Sequence, residues 1–382
     1  MSMKKKIYAD HAATTKLSDK ALEAMMPFLR EAYQNPSTLY ASARHIKRAI
    51  AEARAIIAEI IGANPEEIIF TSGGTESDNW AIKGIAWRQL MKKQIVTTAF
   101  EHHAILNSCR VIRDVSGKVT YIFPNNKGMI EEKSLSSALE QDTSLVSVML
   151  VNNEIGTIQR IRELSEVTHS KGALFHTDAV QAVGHIPVNV ETLKVDLLSA
   201  SAHKFNGPKG IGFLYLRNGI ELTPYINGGG QEGGRRSGTE NVASIVGMAA
   251  ALKENVDMLE DNMKKLAELD CLFINKLKTC KADYLINGGD NRISGNISVS
   301  FKGLDGEAIL HRMDLKGIEI ATGSACDSRD TQISHVLTAI GLPEEYAKGT
   351  VRISLGAENT KEEVDVIVTQ LIQIVESMNE GR

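Results

Sequence analysis

Between about residues 66 and 216, short apolar and β-branched runs alternate with longer stretches of helical spacing. The runs Ile68 to Phe70, Ile95 to Ala99, Val119 to Phe123, Leu145 to Val151, Leu174 to His176, Val195 to Ala200 and Gly212 to Leu216 predict strands. Ser77 to Met91 and Ala104 to Asp114 predict helices between them. Strands separated by helical segments imply an α/β unit with a mostly parallel sheet. Helical patterns at Ser18 to Glu31 and Ser42 to Ile61 would pack outside that sheet. The glycine-rich stretch Asn227 to Gly238 interrupts the alternation, and one long helical region then runs from Asn241 to about Thr279, with Leu259, Leu266 and Leu272 at helical spacing. Strands at Ile297 to Phe301, Ile318 to Ala321 and Thr350 to Ser354, and a last helix from Lys361 to Met378, form a second, smaller α+β unit.

The length of 382 residues agrees with about two such units. The 43 basic and 47 acidic residues give a net charge of −4, so no general attraction to nucleic acid or to an anionic membrane is expected. No uncharged apolar run reaches the ~18 residues of a membrane span. The four cysteines, Cys109, Cys271, Cys280 and Cys326, contain no Cys-x-x-Cys pair. Neither a disulfide framework nor a zinc ribbon is expected, and a reducing cytoplasm fits best.

Chemistry concentrates where the predicted strands end, the usual place for ligands in open α/β sheets. Thr71-Ser72-Gly73-Gly74-Thr75-Glu76-Ser77 follows the first strand. Its glycines and the free N–H groups of the next helix suit a phosphate, although such a turn alone is more often plain turn chemistry. Glu101-His102-His103 follows the second strand, and adjacent histidines lack zinc-ligand spacing. Asp178, in His176 to Gln181, could hold a metal, act as a base or cap a helix. Lys204 lies in Ser199 to Gly210, among Ser, His, Gly and Pro; a lysine at a strand tip beside a buried site can form a Schiff base. Taken together, a phosphate cradle, an imidazole, an acid and an amine are the groups that pyridoxal phosphate needs. A dinucleotide-binding enzyme is disfavoured, because Gly207-Pro208-Lys209-Gly210-Ile211-Gly212 has the wrong glycine spacing.

The ordered segments Tyr8 to Thr15, Asn35-Pro36-Ser37, Thr71 to Asn79, Val151 to Gly156, His176 to Gln181, Ser201 to Gly210, Gly228 to Glu232, Arg235 to Thr239, Gly323 to Cys326 and Val351 to Ser354 cover the whole chain. Through them the sequence resembles the NifS/IscS-like cysteine desulfurases, within the fold-type I, class V aminotransferase superfamily. The resemblance implies a large cofactor-binding domain at 16–255, with a mostly parallel seven-stranded sheet, and a small α+β domain made of 1–15 and 256–382. It implies pyridoxal 5'-phosphate on Lys204, with Asp178 on the pyridine nitrogen, His102 stacked on the ring, and Gln181 and Asn153 near the ring hydroxyl. Gly74, Thr75, Ser201 and His203 would hold the phosphate, and Thr239 would reach the phosphate of a second subunit, giving a homodimer with shared sites. Arg352, Asn153 and Asn35 would bind the carboxylate of L-cysteine.

Cys326 lies in Thr322 to Ser328, small and polar residues that predict a mobile loop, whereas Cys109, Cys271 and Cys280 read as ordinary thiols. By resemblance, Lys204, Cys326 and His102 are catalytic. Cys326 would take the sulfur as a persulfide while L-alanine leaves, then pass it to an acceptor protein for iron–sulfur cluster assembly or for tRNA or cofactor thiolation. No intrinsic metal is expected, although Cys326 could transiently ligate a shared iron–sulfur cluster. The family usually reads Cys-Thr-Ser where this chain has Cys326-Asp327-Ser328, and Leu-Glu-Pro where it has Thr331-Gln332-Ile333. Both departures leave the acceptor open. The alternative on the same fold is a selenocysteine lyase or a C–S lyase, which would not need Cys326.

Overall fold

The computed structural model describes residues 6–88, 94–322 and 333–380. Its main sheet has seven strands in the order Ile68–Thr71, Gly212–Leu216, Leu197–Ser201, Leu174–Asp178, Thr143–Ser147, Gln94–Thr98 and Lys118–Ile122. Gly212–Leu216 runs antiparallel to both neighbours and the other pairings are parallel. The expected fold, a mostly parallel seven-stranded α/β sheet beside a smaller α+β part, is the observed one. All residues of Thr143–Ser147, Leu197–Ser201 and Gly212–Leu216 are buried, which explains why these strands read as apolar runs rather than alternating ones.

Helices cover both faces. On one side, Phe70, Val96, Val146, Phe175 and Leu198 pack against Ile46, Ile57 and Ile61 of the helix Ala41–Ile61 and against the helix Val242–Asp257. On the other, Ile69, Ile95, Leu145, Leu197 and Leu214 pack against Trp80 and Ile85 of Gly74–Arg88 and Ile105 of His103–Asp114. A third core lies between the antiparallel sheet Ala321–Thr322, Thr350–Ser354, Asn296–Phe301, Tyr284–Ile286 and the helices Leu259–Leu277, Gly306–Leu315 and Lys361–Glu380.

Two segments differ from the sequence pattern. The helical region after Asn241 breaks at Met258 (φ −107°, ψ 9°). Its first half packs on Asp19–Arg30 and Ala41–Ile61, its second on Lys361–Glu380, so one straight rod cannot serve both cores. The run Ile318 to Ala321 divides as well. Ile318–Glu319 pairs with the N-terminal strand Ile7–Tyr8, while Ala321–Thr322 joins Thr350–Ser354. The end of the helix expected to reach Met91 lies outside the described residues.

Gly212 sits where the sheet meets the first loop of the site. It pairs with Thr71 on one side and Ser201 on the other. A Cβ there would come within 2.7 Å of Gly73 Cα and would also strike the Ala200 carbonyl oxygen. Both obstacles are backbone and cannot rotate away. Gly212→Ala should therefore cost about 1–3 kcal/mol of stability; an unchanged urea midpoint would show that the strands separate without strain.

Candidate active site

The carboxyl ends of the parallel strands open onto a cavity of about 420 Å³. Gly74, Thr75, His102, Asn153, Asp178, Gln181, Ser201, His203, Lys204 and Arg352 all line it. Sequence reasoning did not single out five further lining groups: Asp10, the Ala12–Ala13 segment, Asp78, Met149 and Val180. Asn35 and Thr239 are exposed and do not line it. Cys326, with Asp327, Thr331 and Gln332, lies outside the described residues.

Local structure accounts for each placement. Asp178 ends its strand, and its Oδ1 accepts the Val180 N–H at 2.9 Å. No helix begins there among the described residues, so this bond closes a turn rather than capping a helix, and a carboxylate can accept it while facing a ligand. His102 is the residue before the helix His103–Asp114, and its Nδ1 accepts the Ala104 N–H at 3.2 Å. Asn153 follows Asn152, whose Oδ1 accepts the N–H groups of Glu154 and Ile155 and whose Nδ2 donates to the Phe100 carbonyl at 3.0 Å, so the turn is held from both sides.

The N-terminal segment crosses the cavity. Lys204 Nζ donates to the carbonyls of Ala12 at 2.6 Å and Ala13 at 2.7 Å. Gln181 Nε2 donates to the Ala12 carbonyl at 2.8 Å, and His203 Nδ1 lies 3.1 Å from the Thr14 hydroxyl. Arg352 donates from Nη2 to Asp10 Oδ1 at 2.7 Å and from Nη1 to the Asn153 carbonyl at 3.0 Å. Its Nε is buried and has no hydrogen-bond partner.

At the start of the helix Gly74–Arg88, the Glu76 carboxylate accepts the Ser72 N–H at 2.8 Å and a bidentate pair from Arg236 at 2.9 and 3.1 Å. Burial raises the Glu76 pKa, but Arg236 and Ser72 outweigh it and the net shift is downward. Gly74 cannot carry a side chain here: a Cβ would lie 2.6 Å from Val180 Cγ2. The backbone at this helix N-terminus therefore stays close to the Asp178 turn. The glycine-rich stretch is pinned from the other side by Arg54, which donates to Glu232 at 2.6 and 2.8 Å.

Burial pushes the Asp178 carboxyl up to about 6, opposed by the Val180 N–H and the charge of Lys204. It pushes His102 down to about 4, with Lys204 and His103 adding repulsion, and His203 down to about 4. The cavity thus holds neutral imidazoles, a primary amine, three carboxyl groups and a guanidinium.

A profile of the aminotransferase class-V family matches residues 7–367. The chain is 47% identical over 378 residues to a protein of Dictyoglomus turgidum named "Cysteine desulfurase IscS", covering 98% of this chain and 96% of that one. It is 44% identical over 375 residues to the protein of that name from Methanosarcina thermophila, covering 98% and 93%. A solved "NIFS-LIKE PROTEIN" superposes with a TM-score of 0.92 at 36% identity, covering 97% of this chain and all 100% of the other. The structure titled "SspA in complex with cysteine" gives 0.83 at 36% identity, covering 93% and 100%. The chain belongs to the class-V aminotransferases and, within them, to the NifS/IscS-like cysteine desulfurases.

The depressed His102 value has a sign that can be checked. The unfolded chain protonates this ring near 6.5 and the folded chain near 4, so the stability tied to the neutral ring is present above 6.5 and is lost as pH falls toward 4. In cofactor-free protein, ¹⁵N-histidine NMR should find the His102 ring neutral from pH 8 down to about 5. A midpoint near its ordinary value would mean that water reaches the ring.

Proposed function

We propose that this enzyme uses pyridoxal 5'-phosphate bound to Lys204 to remove sulfur from L-cysteine, releasing L-alanine and holding the sulfur as a persulfide on Cys326. The observation that carries the reading is the convergence of Lys204, Asp178 and Arg352 on one cavity. The donor set fits the cofactor: an amine for its aldehyde, a buried acid for its pyridine nitrogen, an imidazole for its ring, and a helix N-terminus with Thr75 and Ser201 for its phosphate. When bound, it supplies an electron sink for bond changes at the substrate carbons.

The remaining steps belong to side chains of this chain. Arg352, with Nε unengaged, takes the substrate carboxylate beside Asn153. Lys204, once its amine is free, moves a proton from the substrate Cα, and the carbonyls of Ala12 and Ala13 offer its ammonium a place to rest. The neutral His102 ring can accept a proton and return it. The Cys326 thiolate attacks the substrate sulfur, so an S–S bond forms as the C–S bond breaks, and protonation of the carbon fragment gives alanine. The persulfide sulfur then passes to an acceptor protein serving iron–sulfur assembly or tRNA or cofactor thiolation in the cytoplasm. Residues 16–255 form the cofactor-binding domain, and residues 1–15 with 256–382 bring Arg352 and Cys326 to it. Because Thr239 is exposed and lies off this cavity, we assign it to the phosphate of a second copy, in a homodimer with shared sites.

Three variants test the assignment. Lys204→Ala should lose both the yellow cofactor colour and alanine formation. Cys326→Ser should keep the colour but form no alanine from cysteine; full activity in it would sink the persulfide route and favour a lyase. Arg352→Ala should keep the colour and raise KM for cysteine about 10- to 100-fold, the range for losing a charge-assisted hydrogen bond.

A further inference from the structure

Beneath the cavity lies a buried acid that the proposed reaction does not use. Asp78 stands in the second turn of the helix Gly74–Arg88, 1% exposed, and lines the cavity floor with Asp178. Its Oδ1 has no hydrogen-bond partner and lies 3.8 Å from His176 Nε2. The Ser199 hydroxyl is 3.0 Å from that same nitrogen, and the Ser147 hydroxyl is 2.9 Å from the other. These groups come from three adjacent strands, Thr143–Ser147, Leu174–Asp178 and Leu197–Ser201. His176 and Asp178 are two residues apart on one strand, so both project to the same face.

The charged and titratable groups facing Asp78 are Asp178, Glu101 and His176. Among the described residues, no lysine or arginine lies within ion-pair distance of it. Two close carboxylates in a dry site cannot both ionise. Asp178 has the means to stay charged: the Val180 N–H at 2.9 Å and the field of Lys204. Asp78 is offered only hydroxyl and imidazole groups. Burial and the proximity of Asp178 push the Asp78 carboxyl well above its ordinary range, and burial pushes His176 down to about 3, so the ring offers no positive charge. Glu101, held by Thr98 Oγ1 at 2.7 Å and the Met149 N–H at 2.9 Å, is pushed up to about 8.

We infer that Asp78 is a positioning residue for Asp178: with Ser199 and His176 it forms a buried unit that retains a proton, so that Asp178 is the group that carries negative charge against the cavity floor. Asp78 acts through Asp178 and reaches no substrate itself. Where it concerns the cofactor, the inference rests on the proposed use of pyridoxal phosphate; the state of Asp78 does not.

Two measurements keep those parts separate. In cofactor-free protein, a native acid with a raised pKa gives up its proton on unfolding, so stability falls as pH rises above the ordinary carboxyl range. Asp78→Asn mimics the neutral acid. It should flatten that fall, reducing the protons released on unfolding near pH 6 by about one, as read from urea midpoints across pH. An unchanged proton count would overturn the retained proton. In the cofactor-loaded protein, Ser199→Ala removes a hydroxyl that favours the charged form of Asp78, so the Asp78 proton should be held more firmly and the pH midpoint of the cofactor's visible absorbance should stay in place. Asp78→Asn, which keeps the floor's charge, should leave that midpoint in place as well. A midpoint that moves down in Asp78→Asn would show that Asp78 itself carried the negative charge and would overturn the positioning role. Wild-type protein that takes up no cofactor would defeat the functional reading instead, with the unfolding result still standing.

Discussion

The site depends on one buried cation. Arg352 is 5% exposed, and a guanidinium so placed must be paired. It comes from the central strand of the small antiparallel sheet. Its partners are Asp10, from the N-terminal segment, and the carbonyl of Asn153, from the turn beyond a strand of the large sheet. One side chain thus ties the small sheet and the N-terminal segment, which share one hydrophobic core, to a turn that belongs to another. Removing a partner from such a pair typically costs about 3–5 kcal/mol, because the remaining charge stays buried. The tie also sets the path of the residues after Asp10, and that path brings the carbonyls of Ala12 and Ala13 onto Lys204 and Gln181. The cavity wall nearest the lysine is therefore a consequence of how the arginine is neutralised.

The same neutralisation shapes the electrostatics inside. Asp10 is committed to Arg352, and the Lys204 ammonium donates to the carbonyl oxygens of Ala12 and Ala13. Among the described residues, no lysine or arginine forms an ion pair with the floor acids Asp178, Asp78 and Glu101, and burial pushes all three upward. A ligand that brings a cationic nitrogen to Asp178 supplies charge where low dielectric makes it worth most. The fold accepts the cost of buried acids at a place where a ligand can relieve it, which is the usual signature of a functional site rather than a structural one.

Much of this was legible in the residue order, for physical reasons. Apart from the edge strand Lys118–Ile122, the strands of the main sheet are almost wholly buried, so most read as apolar runs, and the groups at their carboxyl ends converge because parallel strands end on the same edge. Lys204, Asp178, His102 and Gly74 could be placed by that rule alone. Other features left no trace. The carbonyls of Ala12 and Ala13 carry no side-chain signal, and Asp78 in the sequence is one polar residue among several in the first turns of its helix. The division of Ile318 to Ala321 between two sheets depends on long-range pairing with Ile7–Tyr8 and Thr350–Ser354, which a local pattern cannot encode. Asn35 and Thr239 were assigned by resemblance, and no local rule would have shown that both lie off this chain's cavity.

The two ends of the cavity are built on different principles. At the Asp178 end, position is fixed by strands: Asp178 pairs with Ser199, Ser199 pairs with Leu214 on its other side, and the helix bearing Asp78 packs on these strands. At the Gly74 end, position is fixed by charge. Arg236 clamps Glu76 at the helix start, and Arg54 clamps Glu232, a non-glycine residue held at φ 49°. Positive φ disfavours a side chain of this kind, so the bidentate pair and the Phe70 N–H bond to the Glu232 carboxylate at 3.0 Å must outweigh the strain. Strand ladders tolerate little adjustment, whereas ion pairs at a loop can re-form after small shifts. The arrangement suits a ligand whose reactive ring must be held in one orientation while its anionic end is gripped by backbone N–H groups that settle around it.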